Sequence, residues 1–225
     1  MKLAAIIAVL GNPLAAQTFN APTGCEVYLT VQGRDCSVDN HFTCAADPAG
    51  EQHRASFDEN AMTYLGAIDE ETQWINSTHI IGGHSEELGS NPLDRASFSE
   101  LIATGSDSYD FKTNSAEVGQ TRYVGVDRLT GNSRKVDGVT LEETAYDITA
   151  YAGDGSVLWS SKGREFISRE FRIFLSGKST VTTPTDTFDT DGTPVQFIRP
   201  GEAGFASVKP KFGCGAMMSS YEVIQ

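Results

Sequence analysis

Cys25-Glu26-Val27-Tyr28-Leu29-Thr30-Val31-Gln32-Gly33-Arg34-Asp35-Cys36-Ser37-Val38-Asp39-Asn40-His41-Phe42-Thr43-Cys44 is the stretch on which the fold turns. Val27, Leu29 and Val31 alternate with Glu26, Tyr28, Thr30 and Gln32, the period of a strand with one buried face. Gly33-Arg34-Asp35 supplies turn residues, and Cys36 to Cys44 reads as the returning strand. A hairpin folded about Arg34-Asp35 sets Cys25 opposite Cys44. Such cross-strand neighbours have Cβ atoms about 4.5–5.5 Å apart, near the separation that a disulfide needs. Cys36 is then left for Cys214, a bridge from the start of the fold to its end. Spacing alone leaves the other two pairings open.

Upstream, Met1-Lys2 is a short basic start and Leu3 to Leu10 an unbroken apolar run. Gly11-Asn12-Pro13 breaks it, and Leu14-Ala15-Ala16 offers small residues for cleavage before Gln17. This order predicts a secretory signal peptide over 1–16, with an apolar run too short to span a bilayer. Residues 17–225 are then one β-rich domain, periplasmic or secreted, with no transmembrane segment in the mature chain. All four cysteines fall in the exported part, where oxidation is the rule. The chain holds 30 acidic against 17 basic residues, a formal charge of −13. Such a field repels nucleic acid, so no nucleic-acid partner is expected.

Downstream, residues 45–60 read as a connection with turn signals at Asp47-Pro48 and Ala49-Gly50. Met62, Tyr64, Ile68, Trp74 and Ile75 suggest one or two strands, and Ile80 to Ser90, with Gly82-Gly83, a loop. Asp94 to Thr104 carries a helix signature: Ser97 and Glu100 as a capping box, then Gly105 as terminator. Tyr109, Phe111 and Arg122 to Val126 return to strand. Thr144 to Tyr151 and Ser156 to Ser160 flank Gly153-Asp154-Gly155, a hairpin signal. Glu165, Ile167, Arg169, Phe171, Ile173 and Leu175 alternate as one face of a long strand. Ser179 to Thr185 reads as extended, Asp189 to Gly192 as a turn, and Val195 to Ile198 as a last strand. The fold class is therefore mainly β: an antiparallel meander forming a curved sheet, half-barrel or sandwich, with one or two short helices.

Tests for chemistry return little. His41, His53, His79 and His84 lack zinc-site spacing, and export sets Cys36 and Cys44 to disulfides rather than to metal beside His41. Asp186, Asp189 and Asp191-Gly192 miss a calcium loop at both ends. No Gly-x-Ser-x-Gly elbow or phosphate-binding glycine loop occurs, so no catalytic residue, metal or cofactor is assigned. Trp74, Trp159, Tyr123, Tyr146, Phe166, Phe171 and Phe174 are candidates for a concave ligand pocket and equally for ordinary core.

Cys25 to Gln32 with Cys36 and Cys44, and Ser97 to Gly105 with Tyr109-Asp110-Phe111, resemble uncharacterised exported proteins of Gram-negative bacteria. That resemblance implies no activity, cofactor or site residue. In architecture the expected curved sheet with one short helix is similar to periplasmic half-barrels of the lipoprotein-carrier kind, an analogy of fold alone. The leading expectation is an exported, non-catalytic binding protein. Its partner is an unknown small apolar or lipid-like ligand, or an envelope protein, and the ligand-binding residues are unknown. The alternatives are a secreted hydrolase whose carboxylates and histidines meet only in the fold, and a structural envelope component.

Overall fold

The computed structural model describes residues 17–215, and the leader assigned to 1–16 lies outside them. The strands are β1 (Cys25–Gly33), β2 (Val38–Cys44), β3 (Gln52–Phe57), β4 (Met62–Ile68), β5 (Trp74–His79) and β6 (His84–Leu88). Helix α1 (Phe98–Thr104) follows. After it come β7 (Ser106–Ser115), β8 (Gly119–Val136), β9 (Val139–Ala152), β10 (Val157–Ser168), β11 (Ile173–Leu175), β12 (Lys178–Thr182), β13 (Thr187–Asp191) and β14 (Pro194–Ile198). All 14 strands form one antiparallel sheet that is not closed, in the order β13-β12-β10-β9-β8-β7-β6-β5-β4-β3-β2-β1-β14, with β11 beside β10. The two end strands are separated in the chain only by Gly192-Thr193. So short a connection spans roughly 11 Å at most, and the sheet must curl until its ends meet. Both ends are blunted against further pairing: carboxylates of Asp186 and Asp137 accept from the backbone N–H groups of Thr187 and Phe197.

Cys25 lies opposite Cys44 as expected, but the turn is centred on Asp35, one half-step beyond Arg34-Asp35, and the pairing is reached only because Tyr28 is an extra residue in β1. Val27 pairs with Phe42 and Leu29 with His41, so Val27 faces the side opposite to Leu29 and Val31. The simple alternation read from the sequence is corrected by this bulge. Leu29 and Val31 pack with Leu141, Phe166, Ile173, Leu175 and Phe197. Val27 packs on the opposite side with Val38, Phe42, Ala55 and Phe57, covered by Phe19, Phe205 and Val208 from the terminal segments. The C-terminal strap is also held by polar groups: Asn40 Nδ2 donates to Ser207 O (2.9 Å), and Gln32 Oε1 accepts from the Lys211 N–H (2.8 Å). Disulfides join Cys25 to Cys44 and Cys36 to Cys214, the second anchoring that strap to the first turn.

Other expectations change. Residues 45–60 are not only a connection, since they contain β3, and the loop read over 80–90 contains β6. Both strands point polar residues inward (Arg54 and Ser56; His84 and Glu86), inverting the apolar-inward pattern by which strands are read. The long strand expected up to Leu175 breaks at 169–172, where Arg172 has φ 50°, and β11 folds back to pair Phe174 with Ile167. Asp189 to Asp191 lie in β13 rather than in a turn. Helix α1 starts at Phe98 rather than Asp94. Ser97 Oγ accepts from the Glu100 N–H (3.1 Å), but the Ser97 N–H goes to Asp107 (2.9 Å), so only half of the expected capping box forms. Phe98 and Leu101 pack against Ile167.

Candidate functional site

Register along the ladders defines one continuous inner face. From Leu29 it passes through His41, Arg54 and Gly66 to Ser77, and from Ser56 through Tyr64 to His79 and His84. On β7 to β10 the same face carries Asp107, Tyr109 and Phe111, then Tyr123 and Asp127, then Thr144, Tyr146 and Ile148, then Trp159 and Glu165. A bulge at Ile75 turns Trp74 onto this face opposite Ile68. Gly125 is required here, because an added Cβ would lie 2.6 Å from the Tyr109 ring laid across it.

The inner face is not sealed. Trp74 remains 39% exposed, and Tyr28, Tyr64, Tyr109, Tyr146 and Trp159 are all half-buried. Trp74 meets Phe111 and Tyr123 edge-on at 5.6 and 5.1 Å, and Trp159 lies 6.0 Å from Tyr123. These partly exposed rings line one side of the space bounded by the curl, here called the hollow. Of the residues singled out in the sequence, Trp74, Tyr123, Tyr146 and Trp159 share this wall. Phe166 lies in the apolar core, Phe174 packs with the helix, and Phe171 stacks on Tyr28 in a turn.

Deeper in the hollow the side chains titrate. Asp127 and Glu165 act on one another as a close pair of acids, which disfavours ionising both. Desolvation, then the neighbouring Asp127 charge, holds Glu165 well above the ordinary carboxyl range, and Asp127 is raised mainly by desolvation. Glu165 is surrounded on all sides, yet it keeps a little solvent-reaching surface of its own. Asp107, directly across from Asp127, is pushed up to about 6 by desolvation. Burial lowers His41 to about 4, so it is neutral. Buried atoms without a hydrogen-bond partner include His41 Nε2, Arg54 Nε, Asp107 Oδ1, Asp127 Oδ1 and Thr144 Oγ1, all on this one face. No known family, curated protein or solved structure matches the chain.

Nearer the rim, Ser77 Oγ and His79 Nε2 are 3.2 Å apart, and His79 stacks on His84 at 4.6 Å. Glu86 accepts from the Tyr123 hydroxyl (2.8 Å) and from Thr113 (3.0 Å). Desolvation, then the His84 charge, lowers the His79 pKa. The metal reading of Cys36, His41 and Cys44 loses its ligands to the disulfides. The two metal-compatible clusters among the described residues, Cys36-Glu59-Cys214 and Cys44-Asp47-His53, each include a bridged cysteine. Outside the curl, a cleft of about 380 Å³ is lined by Lys112, Gln120, Arg122 and Tyr151. Sequence reasoning missed Arg54, Asp127 and Glu165, because no local spacing signals residues that converge from three distant strands.

Proposed function

We propose that the protein is exported to the periplasm or beyond and there holds an apolar, lipid-like small molecule in the hollow of its curled sheet, without catalysis. The observation that carries this reading is the half-exposed aromatic wall. Both tryptophans and several tyrosines face the hollow instead of sinking into the core. Aromatic surface left open to solvent is stabilised by an apolar occupant at about 25 cal/mol per Å² covered. Apolar walls with a few buried polar groups are the usual make-up of a small-molecule site. Native mass spectrometry of protein taken from the envelope of its own source is expected to show a chain beginning at Gln17 with a small molecule retained. A bare chain, or one retained only with a protein partner, would count against the reading.

A hydrolase is the second reading, favoured by the Ser77–His79 contact. A neutral imidazole within reach of a serine hydroxyl is the start of a nucleophile–base pair. Treatment with a fluorophosphonate separates the two. Binding without catalysis predicts no adduct, whereas phosphonylation of Ser77 that is lost in His79→Gln would establish the second reading.

A further inference from the structure

Three features of the hollow meet at Arg54. Its guanidinium stacks over the Tyr64 ring, 4.7 Å from the centroid, within the aromatic wall. Among the described residues Arg54 makes no ion pair, and its Nε is buried without a partner. His41, its direct cross-strand neighbour, is 3% exposed, and its Nε2 is equally unpartnered. A guanidinium that cannot lose its proton calls for an acceptor, and the buried imidazole beside it calls for a hydrogen-bond partner. The nearby acids do not fill that place: Asp39 and Glu165 act on Arg54 only through space, and its side-chain hydrogen bond goes to Tyr64, which leaves Nε without a partner.

We propose that Arg54, with His41 beside it, anchors the acid head of a single-chain amphiphile, a carboxylate or phosphate whose apolar tail lies along the aromatic wall. The inference rests on the reading that the hollow holds an apolar ligand, and it adds the head group. The guanidinium fork matches either oxyanion with two parallel N–H bonds. A His41 ring with its proton on Nε2 adds a third donor. Tyr28, Trp74 and Trp159 supply the surface for the tail.

The chain contains only two tryptophans, Trp74 and Trp159, and both stand on this face, so their emission reports occupancy. Dodecanoate, dodecyl phosphate, dodecanol, acetate and inorganic phosphate would each be titrated into the protein. At least one dodecyl acid is expected to bind about tenfold tighter than dodecanol or more, with the tail-less ions far weaker. Whichever acid is tighter names the source of the head group. Arg54→Met is expected to reduce the acid to the level of dodecanol and leave dodecanol unchanged. Equal binding of acid and alcohol by the unmodified protein, or an acid advantage that survives Arg54→Met, overturns the role of Arg54. Inorganic phosphate binding as tightly as dodecyl phosphate overturns the amphiphile. If Arg54→Met does not fold, the acid–alcohol comparison in the unmodified protein decides alone. Failure of every dodecyl compound to change the emission removes the binding reading itself, an outcome distinct from equal binding.

Discussion

Urea unfolding measured from about pH 5 to about pH 8 is expected to show stability falling as the pH rises. Glu165, Asp127 and Asp107 all have folded-state pKa values raised above those of the unfolded chain. Each therefore holds a proton in the fold that the unfolded chain has already released. Their contribution is complete below the ordinary carboxyl value near 4 and is lost as the pH climbs through the folded value. For Asp107 that value is about 6. His41 works in the opposite direction, because its pKa falls from 6.5 to about 4 on folding. Its contribution is present above 6.5 and lost as the pH drops towards 4. Stability is therefore greatest under mildly acidic conditions. At higher pH, each proton kept only by the fold gives a slope of about 1.4 kcal/mol per pH unit. Glu165→Gln keeps a donor for Asp127 but cannot ionise, so the fall with rising pH should flatten. A slope unchanged in that variant would show that Glu165 is not its origin.

Removing the Cys36–Cys214 bridge is expected to destabilise the protein more than removing Cys25–Cys44. The first closes a loop with a sequence separation of 178 and the second one of only 19. Loop-closure entropy assigns them about 5 and about 3 kcal/mol respectively. Packing widens the difference. Without Cys36–Cys214, the strap that covers Phe42 and Phe57 through Phe205 and Val208 is held at that end only by contacts such as Gln32 with Lys211. Chemical denaturation of Cys36→Ala/Cys214→Ala and Cys25→Ala/Cys44→Ala, measured in parallel, tests the order. Equal midpoint shifts would mean that the strap retains its place without the bridge.

The parts of the fold legible in the sequence are those decided within a few residues of one another. The hairpin at Gly153-Asp154-Gly155, the helix stop at Gly105 and the Ser97 cap all follow from backbone preferences at their own positions. Two of the strands that escaped notice, β3 and β6, face the hollow with Arg54, Ser56, His84 and Glu86. A reading that equates inward with apolar cannot find a strand whose inward side is charged. Tyr28 and Ile75 posed a related difficulty. Each is one extra residue that reverses which side its neighbours face, and nothing adjacent in the chain announces it.

The sequence by itself determined a strand-rich chain, its cap and its hairpin turns, and it brought Cys25 and Cys44 into the two arms of one hairpin, whose exact register the Tyr28 bulge decides. Each is short-range, carried by alternation, turn chemistry and the reach of one hairpin. Only the tertiary structure decided that the sheet curls until β13 and β14 nearly meet, and that Arg54, Asp127 and Glu165 share one interior with both tryptophans. That convergence depends on twist accumulated over many ladders and on bulges that reset the facing of whole strands. Those are long-range sums of small local angles, and no single stretch of residues encodes them.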